Sequence, residues 1–177
     1  MSSLSEEERR ALLAKLLAAL TGGARYADRR GAAFGLAGCV KGCGISSLKA
    51  FGVIDALRAA AEDKGRATAR EGALLAYECL SLKLGRLFEP YVVHVLPLLL
   101  GALGDASAAV REAAEGSAKA VMGNLSGQGV KLVLPGLLTG LEVRGVHVCL
   151  LAYGSTTRRY AGQAVAHKTG SWKRGYL

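Results

Sequence analysis

A short motif that recurs at nearly constant intervals constrains the fold of this chain more than any other feature. An arginine, a variable residue, a small residue and an alanine follow one another three times, beginning at Arg30, Arg70 and Arg111. A second motif at 95–100 recurs at 133–138, with Pro97 and Pro135 at matching places. A repeated sequence implies a repeated structural unit, so we expect an array of similar units.

The segments between these motifs have the periodicity of α-helices. In 110–125, apolar or small residues recur at i, i+3, i+4 and i+7 over four turns. Each unit is predicted to hold a helix A and a helix B, with pairs at 5–20 and 26–42, at 48–62 and 69–84, and at 89–103 and 108–125, and with a further helix at 130–141. Two helices in about 40 residues are typical of HEAT and armadillo repeats. The predicted fold class is therefore all-α, a HEAT/armadillo-type α-solenoid of about three and a half helix-pair repeats.

The chain contains 24 glycines, which is unusual for a helical protein. Three of them lie near the ends of predicted segments and are expected to terminate helices: Gly44, Gly85 and Gly127. Four others fall inside predicted helices, where each costs up to about 1 kcal/mol relative to alanine: Gly31, Gly35, Gly38 and Gly72. We expect those four to mark close contacts between helices.

Two aspartate–arginine pairs are candidate structural residues. Asp63 precedes Arg70 and Asp105 precedes Arg111 at similar distances, each pair lying around the start of a predicted helix B. The arrangement resembles the ladder of aspartates and arginines that joins neighbouring HEAT repeats. We therefore expect these four residues to form a structural ladder, with ligand binding by Arg70 or Arg111 as the alternative.

No catalytic, cofactor or metal site is expected. His94 lies in an apolar helix, and none of the three histidines is spaced with a serine or carboxylate in the manner of a catalytic set. Cys39 and Cys43 are one helical turn apart, but two further metal ligands are not near them in sequence. Glycines around 42–44 lack the strand–loop–helix context of a phosphate loop. The interpretation is a binding scaffold with reduced, buried thiols; a HEAT-repeat lyase is a remote alternative.

The net charge of +9 is concentrated near the C-terminal end. All 14 acidic residues precede residue 143, whereas six of the 23 lysines and arginines follow it. The predicted organisation is a repeat segment at 1–142 and a basic, poorly ordered tail at 143–177. That tail either contacts RNA or is an accidental cationic extension. The acidic start is not a signal peptide, and the longest uncharged apolar run, 91–104, is too short to span a bilayer. A cytoplasmic protein without a membrane partner is expected.

Three longer motifs go beyond a generic repeat, and they resemble the general-control translational activator family. They are RRGAAFGLAGCVKGCGI at 29–45, REGALLAYECLSLKLGRLFEPYVVHVLPLLL at 70–100 and QGVKLVLPGLL at 128–138. The resemblance covers about 8–142 and is to the central segment of the family, which is similar to the HEAT region of elongation factor 3. The tail at 143–177 departs from the family pattern.

The resemblance implies a fragment of a giant cytosolic HEAT-repeat protein. Members of the family bind ribosomes, sense stalled ones and activate the kinase of initiation factor 2 alpha. The central segment is implicated in contacts with the ribosome and with an ABC-type ATPase, whereas the kinase is contacted through regions expected to be absent here. A generic HEAT scaffold in nuclear transport or phosphatase assembly is the alternative function.

Overall fold

The computed structural model describes residues 4–144, and this part of the chain is helical apart from short connections. It contains no β-strand, so the all-α prediction is confirmed. The predicted boundary at 142–143 lies within the last helix, and the tail beyond Arg144 lies outside the described residues. The helices are α1 (Glu6–Gly22), α2 (Tyr26–Cys43), α3 (Ser47–Ala50), α4 (Val53–Glu62), α5 (Ala67–Leu84), α6 (Glu89–Ala102), α7 (Ala108–Asn124) and α8 (Gly127–Arg144).

The predicted helix 48–62 is the one that the structure divides. It forms α3 and α4, which are separated by Phe51 and Gly52, and Gly52 has a φ of 65°. Glycine adopts this left-handed conformation without the steric cost that a Cβ atom brings. Gly44 and Gly85 follow α2 and α5 with φ angles of 92° and 57°, as predicted. Gly127 was wrongly predicted to end a helix, because α7 ends at Asn124 and Gly127 begins α8.

The helices form two layers. The A layer contains α1, α4, α6 and α8, and the B layer contains α2, α5 and α7. The most extensive contacts join α5 to α7 and α2 to α5, and the substantial contacts in the described residues lie within one helix pair or between successive pairs. This arrangement confirms an α-solenoid whose pairs are stacked in order.

Within each layer the helices run parallel. In the B layer, Ser117 Oγ donates a hydrogen bond to Leu74 O, and Ser81 Oγ donates to Ala120 O (3.0 Å), so the partners are 43 and 39 residues apart. The nearly constant offset means that α5 and α7 point the same way. In the A layer, Glu89 of α6 binds Ser126 at the start of α8, 37 residues later.

The two helices of the first pair run antiparallel. Gly35 of α2 faces Leu16 of α1, whereas Gly23, at the end of α1, lies beside Asp28 near the start of α2. With parallel layers, this polarity brings every B-to-A connection to one edge of the solenoid and every A-to-B connection to the other. These two edges are called the B-to-A edge and the A-to-B edge below.

The core is centred on α5, which contacts α1, α2, α4 and α7. Seven consecutive residues, 71–77, are buried, so α5 has no broad solvent-facing stripe in its first half. The helical stretch 67–102 is the one part of 4–144 long and apolar enough, by composition, to cross a membrane. It is not one continuous α-helix, because Gly85 and a 3₁₀ turn (Gly85–Phe88) separate α5 from α6. Packing between α2 and α7 accounts for the apolar character of α5.

Two of the four glycines predicted to mark close helix contacts do so. A Cβ atom on Gly72 would overlap the carbonyl oxygen of Leu20 in α1, and one on Gly35 would lie 3.0 Å from Leu16 Cδ2. For Gly31 and Gly38 the prediction was wrong, because a Cβ atom there would meet nothing within 4 Å. Both lie on an exposed stripe of α2, where no described helix approaches.

Replacement of Gly72 by alanine should therefore destabilise the fold. The added methyl group meets main-chain atoms of α1, which cannot rotate away, and overpacking of this kind costs roughly 1–3 kcal/mol. Gly38→Ala is the matched control, because it adds the same methyl group in open space and should raise the free energy of unfolding by up to about 1 kcal/mol. Urea unfolding followed by circular dichroism measures both; equal effects of the two variants would contradict the close approach.

Candidate functional site

Arg70 and Asp105 join the second helix pair to the third. Arg70 Nε donates to Asp105 Oδ2 (2.7 Å), and Arg70 Nη2 donates to Asp105 Oδ1 (3.0 Å). The two side chains are 15% and 13% exposed, so the pair is largely shielded from water. The hydrogen bonds from Arg70 hold the pKa of Asp105 below its usual value. This bidentate pair joins neighbouring repeats and connects one member of each of the two aspartate–arginine pairs selected in the sequence.

Asp63 has a local role in the structure. Its Oδ2 atom accepts from Arg66 Nε (2.8 Å), and its Oδ1 atom accepts from the main-chain nitrogen of Gly65 (2.9 Å). Arg70 reaches only the main-chain carbonyl of Asp63, to which Arg70 Nη1 donates (2.7 Å). The Asp63 carboxylate therefore closes the A-to-B connection of its own pair and does not reach a neighbouring repeat.

Arg111 makes the same main-chain contact as Arg70. Its Nη1 atom donates to Asp105 O (2.7 Å) and Ala106 O (2.9 Å), in the connection between α6 and α7. The residue is exposed, and among residues 4–144 no carboxylate lies within ion-pair distance of its guanidinium. The predicted inter-repeat role is therefore not seen for Arg111 within the described part of the chain.

In the first helix pair, the residue equivalent to Arg70 and Arg111 is Arg29, which the repeated motif did not select. Its Nη1 atom donates to Gly23 O (2.8 Å) and Ala24 O (3.1 Å), and its Nη2 atom donates to Glu71 Oε2 (2.7 Å). Arg29 and Glu71 are each 7% exposed, which makes this pair the most deeply buried among the described residues. The equivalent arginines are thus Arg29, Arg70 and Arg111, which are evenly spaced, and the motif beginning at Arg30 was out of register by a single position.

The spacing of a capping box, a serine or threonine three residues before a glutamate, predicts such a box at Ser5–Glu8 and at Thr68–Glu71, and for Thr68–Glu71 that prediction was wrong. Helix α5 begins at Ala67 after Arg66, which places Thr68 inside the helix. The Glu71 side chain turns to α2 and meets Arg29. The predicted box at Ser5 and Glu8 is present, with Ser5 Oγ accepting from Glu8 N at 3.2 Å.

Arg30 forms a second ion pair between α2 and α5. Its Nη1 atom lies 2.5 Å from Glu78 Oε2, and its Nη2 atom donates to Glu78 Oε1 (3.0 Å). The Arg30 guanidinium also lies 5.1 Å from the ring centroid of Phe34. On the other side of Glu78, a Cβ atom on Gly116 of α7 would be 3.3 Å from its carboxylate. Glu78 therefore lies where α2, α5 and α7 meet.

Uncharged polar groups extend these contacts along the stack. Asn124 Nδ2 donates to Ser81 O (3.1 Å), which joins the C-terminal ends of α7 and α5. In the A layer, Glu89 accepts from the main-chain nitrogen (2.8 Å) and hydroxyl (2.7 Å) of Ser126 and so caps the start of α8. Specific polar contacts therefore hold the successive pairs together in addition to apolar packing.

The structure offers no metal-binding cluster in residues 4–144, where no three His, Cys, Asp or Glu side chains converge. Cys79 is buried, and burial raises its pKa to about 11. Cys39 and Cys43 are only half-buried, which differs from the predicted full burial; burial also raises the pKa of the Cys39 thiol. Thiols with raised pKa values are poor nucleophiles at neutral pH.

Several known proteins are similar to this chain in sequence. Residues 29–145 match the family model of the EF3 N-terminal HEAT repeat. The chain is 59% identical over 137 residues to Protein ILITYHIA of Arabidopsis thaliana (77% of this chain, 5% of that protein). It is 57% identical over 119 residues to the eIF-2-alpha kinase activator GCN1 of Dictyostelium discoideum (67% and 4%). It is 55% identical over 137 residues to the Stalled ribosome sensor GCN1 of Homo sapiens (77% and 5%).

The chain thus spans about one-twentieth of the length of these relatives. No solved structure matches it. The matched region contains the stacked pairs and their cross-repeat contacts from Arg29 onward. The chain therefore belongs to the EF3 N-terminal HEAT repeat family, and its resemblance to the general-control translational activators is confirmed.

Proposed function

We propose that the helix pairs of residues 4–142 act as a docking scaffold in the cytoplasmic response to stalled ribosomes, as one segment of a translational regulator that activates the initiation factor 2 alpha kinase. The observation that supports this most is the 55–57% identity to proteins named as a stalled ribosome sensor and a kinase activator. The partners in this proposal are the ribosome and an ABC-type ATPase. Binding of the kinase is assigned to parts of the longer protein outside this segment.

The chemistry of the described residues supports a scaffold. The buried charged groups, Arg29 and Glu71, neutralise each other across a repeat boundary and do not converge on a cleft. The two shielded pairs next to them, Arg30–Glu78 and Arg70–Asp105, do the same. Stacked helix pairs present long solvent-facing edges and faces, which suit a large partner.

The ladder residues belong to this proposal as structural elements. Arg70 and Asp105 hold the second and third pairs in register, while Asp63 and Arg111 order the A-to-B connections. In this role they fix the shape of the binding surface without touching the partner. Residues 143–177 are assigned no part in the scaffold, in keeping with a family match that ends at residue 145.

Arg70→Ala should lower the free energy of unfolding by about 2–3 kcal/mol, because it removes a charged hydrogen-bonding partner from the shielded Asp105 carboxylate. Arg66→Ala is the control, since its pair with Asp63 is 62% exposed on the arginine side and should contribute less than about 1 kcal/mol. Chemical denaturation measures both variants. Ribosome binding per folded molecule should be unchanged in each; loss of binding by folded Arg70→Ala would assign Arg70 to the partner surface.

The contribution of the Arg70–Asp105 pair should depend on pH. The folded-state pKa of Asp105 lies below the unfolded value of 3.8, so the pair stabilises the fold fully above that pH and loses its effect as the pH falls through the folded-state pKa. The stability difference between wild type and Arg70→Ala should therefore be constant near neutrality and shrink below about pH 3.8. Urea unfolding at a series of pH values measures it. A difference that grows on acidification would contradict the proposed pair.

The full chain should bind purified ribosomes weakly, with binding that fades as salt is added, because exposed charges are screened at high ionic strength. It should not stimulate the initiation factor 2 alpha kinase in a purified assay. Co-sedimentation with ribosomes, with a nuclear-transport GTPase as the control partner, tests the first statement. Kinase stimulation by this chain would overturn the proposal. So would failure of a demonstrably folded sample to bind either the ribosome or the ABC-type ATPase.

A further inference from the structure

The polarity of the stack gathers five exposed cations at the B-to-A edge. Each lies near the end of a B helix, in a B-to-A connection, or near the start of an A helix: Lys41, Lys49, Lys83, Arg86 and Lys131. They come from three successive connections that are far apart in sequence. Because adjacent packed helices are about 8–10 Å apart, the row extends over roughly 20 Å.

Among residues 4–144, these five cations have no acidic partner, whereas most of the basic residues of the A-to-B edge do. Within the described residues, none of them is part of an ion pair. At the A-to-B edge, in contrast, Arg25 pairs with Asp28, Arg66 with Asp63, and Arg70 with Asp105. Apart from Arg111 and Lys64, which are exposed and in no ion pair within the described residues, the cations of the A-to-B edge are paired, whereas the B-to-A edge leaves most of its positive charge facing solvent.

In the part of the chain that the structure describes, the B-to-A edge contains five acidic residues, of which two lie close to the row and three lie at the start of α1. Glu89 is half-buried and engaged by Ser126, so Asp55 is the exposed carboxylate close to the row. The edge also contains the start of α1, as the 5.4 Å distance between the Arg10 guanidinium and the Phe51 ring centroid shows. There, three glutamates at 6–8 adjoin Arg9 and Arg10, so this corner is close to neutral.

Helix electrostatics do not explain the row. A lysine in the last turn of a helix is favoured by the helix dipole, which accounts for Lys41 and Lys83. Lys131, however, lies near the start of α8, where the dipole disfavours a cation, and Arg86 lies between the C-terminal end of α5, which favours a cation, and the start of α6, which disfavours one. The dipole of α8 therefore gives no reason for Lys131 to be where it is, and the opposed dipoles of α5 and α6 leave little net preference at Arg86.

We propose that this cationic row binds the phosphate backbone of RNA. A set of cations without acidic partners that extends over about 20 Å matches a polyanion, since a nucleic-acid duplex carries about twelve phosphates over that length. The contact is one of charge and spacing, without base readout. It deepens the function proposed above and rests on it, because ribosomal RNA is the RNA that a ribosome-docking scaffold would meet.

An anionic membrane surface is the other polyanion that could bind the row, and the experiment must distinguish it from RNA. Leu82 and Leu87 flank Lys83 and Arg86 and are 55% and 62% exposed, a combination that also suits an interfacial contact. RNA is favoured because the cations come from three successive connections, and the leucines belong to only one of them. Vesicles therefore form the second arm of the experiment.

The test compares two triple variants of the full chain with the same change in net charge. Lys49→Gln, Lys83→Gln and Arg86→Gln remove three cations from the row, whereas Lys15→Gln, Arg58→Gln and Lys64→Gln remove three exposed cations elsewhere. Both retain residues 143–177, so that segment cannot account for a difference between them. Thermal melts establish that each is folded. Binding of a labelled RNA duplex is measured by fluorescence anisotropy over a range of salt concentrations.

Loss of three phosphate contacts should weaken the affinity of the row variant roughly tenfold or more at about 0.1 M salt and reduce the slope of log K against log salt by about three. The control variant should keep the slope of the wild type. Equal loss in both variants, or in neither, would overturn the inference. Selective loss of binding to phosphatidylserine vesicles, with RNA binding intact, would overturn it in favour of a membrane.

Ribosome co-sedimentation separates this inference from the proposed function. If the wild type and the row variant bind ribosomes equally, the docking function stands and the RNA-binding row is wrong. If the wild type does not bind ribosomes, the docking function fails, and the RNA duplex assay still decides whether the row binds phosphates.

Discussion

The parallel packing of α2, α5 and α7 is the interaction on which the rest of the structure depends. Helix α5 buries seven consecutive residues, 71–77, which a single helix pair cannot cover, so α5 requires a B helix on each side. The same packing shields the Arg29–Glu71 pair, in which both charges are removed from water. Such a pair is tolerated only when each partner is present, because an isolated buried charge is strongly destabilising. The helix pairs can therefore stack only if the charges that stacking buries neutralise each other.

The arginines at the A-to-B edge connect local and long-range order. Arg29 and Arg70 each bind a main-chain carbonyl of their own A-to-B connection and a carboxylate of the next repeat. Closing the connection positions the guanidinium, and the positioned guanidinium sets the distance to the next pair. Rigid coupling of this type lets a scaffold present residues from distant parts of the sequence at a constant spacing.

Much of this architecture was predictable from the sequence, and the failures have physical causes. Helix periodicity and the regularly spaced motifs indicated the helix pairs and their order, and they selected Arg70 and Asp105 as structural residues without indicating that the two contact each other. The spacing of the motif could not decide whether Arg29 or Arg30 is equivalent to Arg70, because the two arginines are adjacent and the interval between repeats varies by a residue. It also gave no sign that Glu71 would face α2, since a glutamate near a helix start has an obvious local role as a cap. The break at Gly52 depends on a single positive φ, which the surrounding apolar pattern conceals.

The two edges of the solenoid differ because the aspartates of the A-to-B edge pair with arginines of that edge. Aspartates lie in the A-to-B connections, where they cap turns and meet arginines, and the B-to-A connections are left with cations that have no such partner among the described residues. Stacked repeats bind partners through extended surfaces assembled from several repeats, so each residue contributes little on its own. The charge asymmetry between the edges is therefore a property of the stacked pairs together, because it depends on where their helices begin and end.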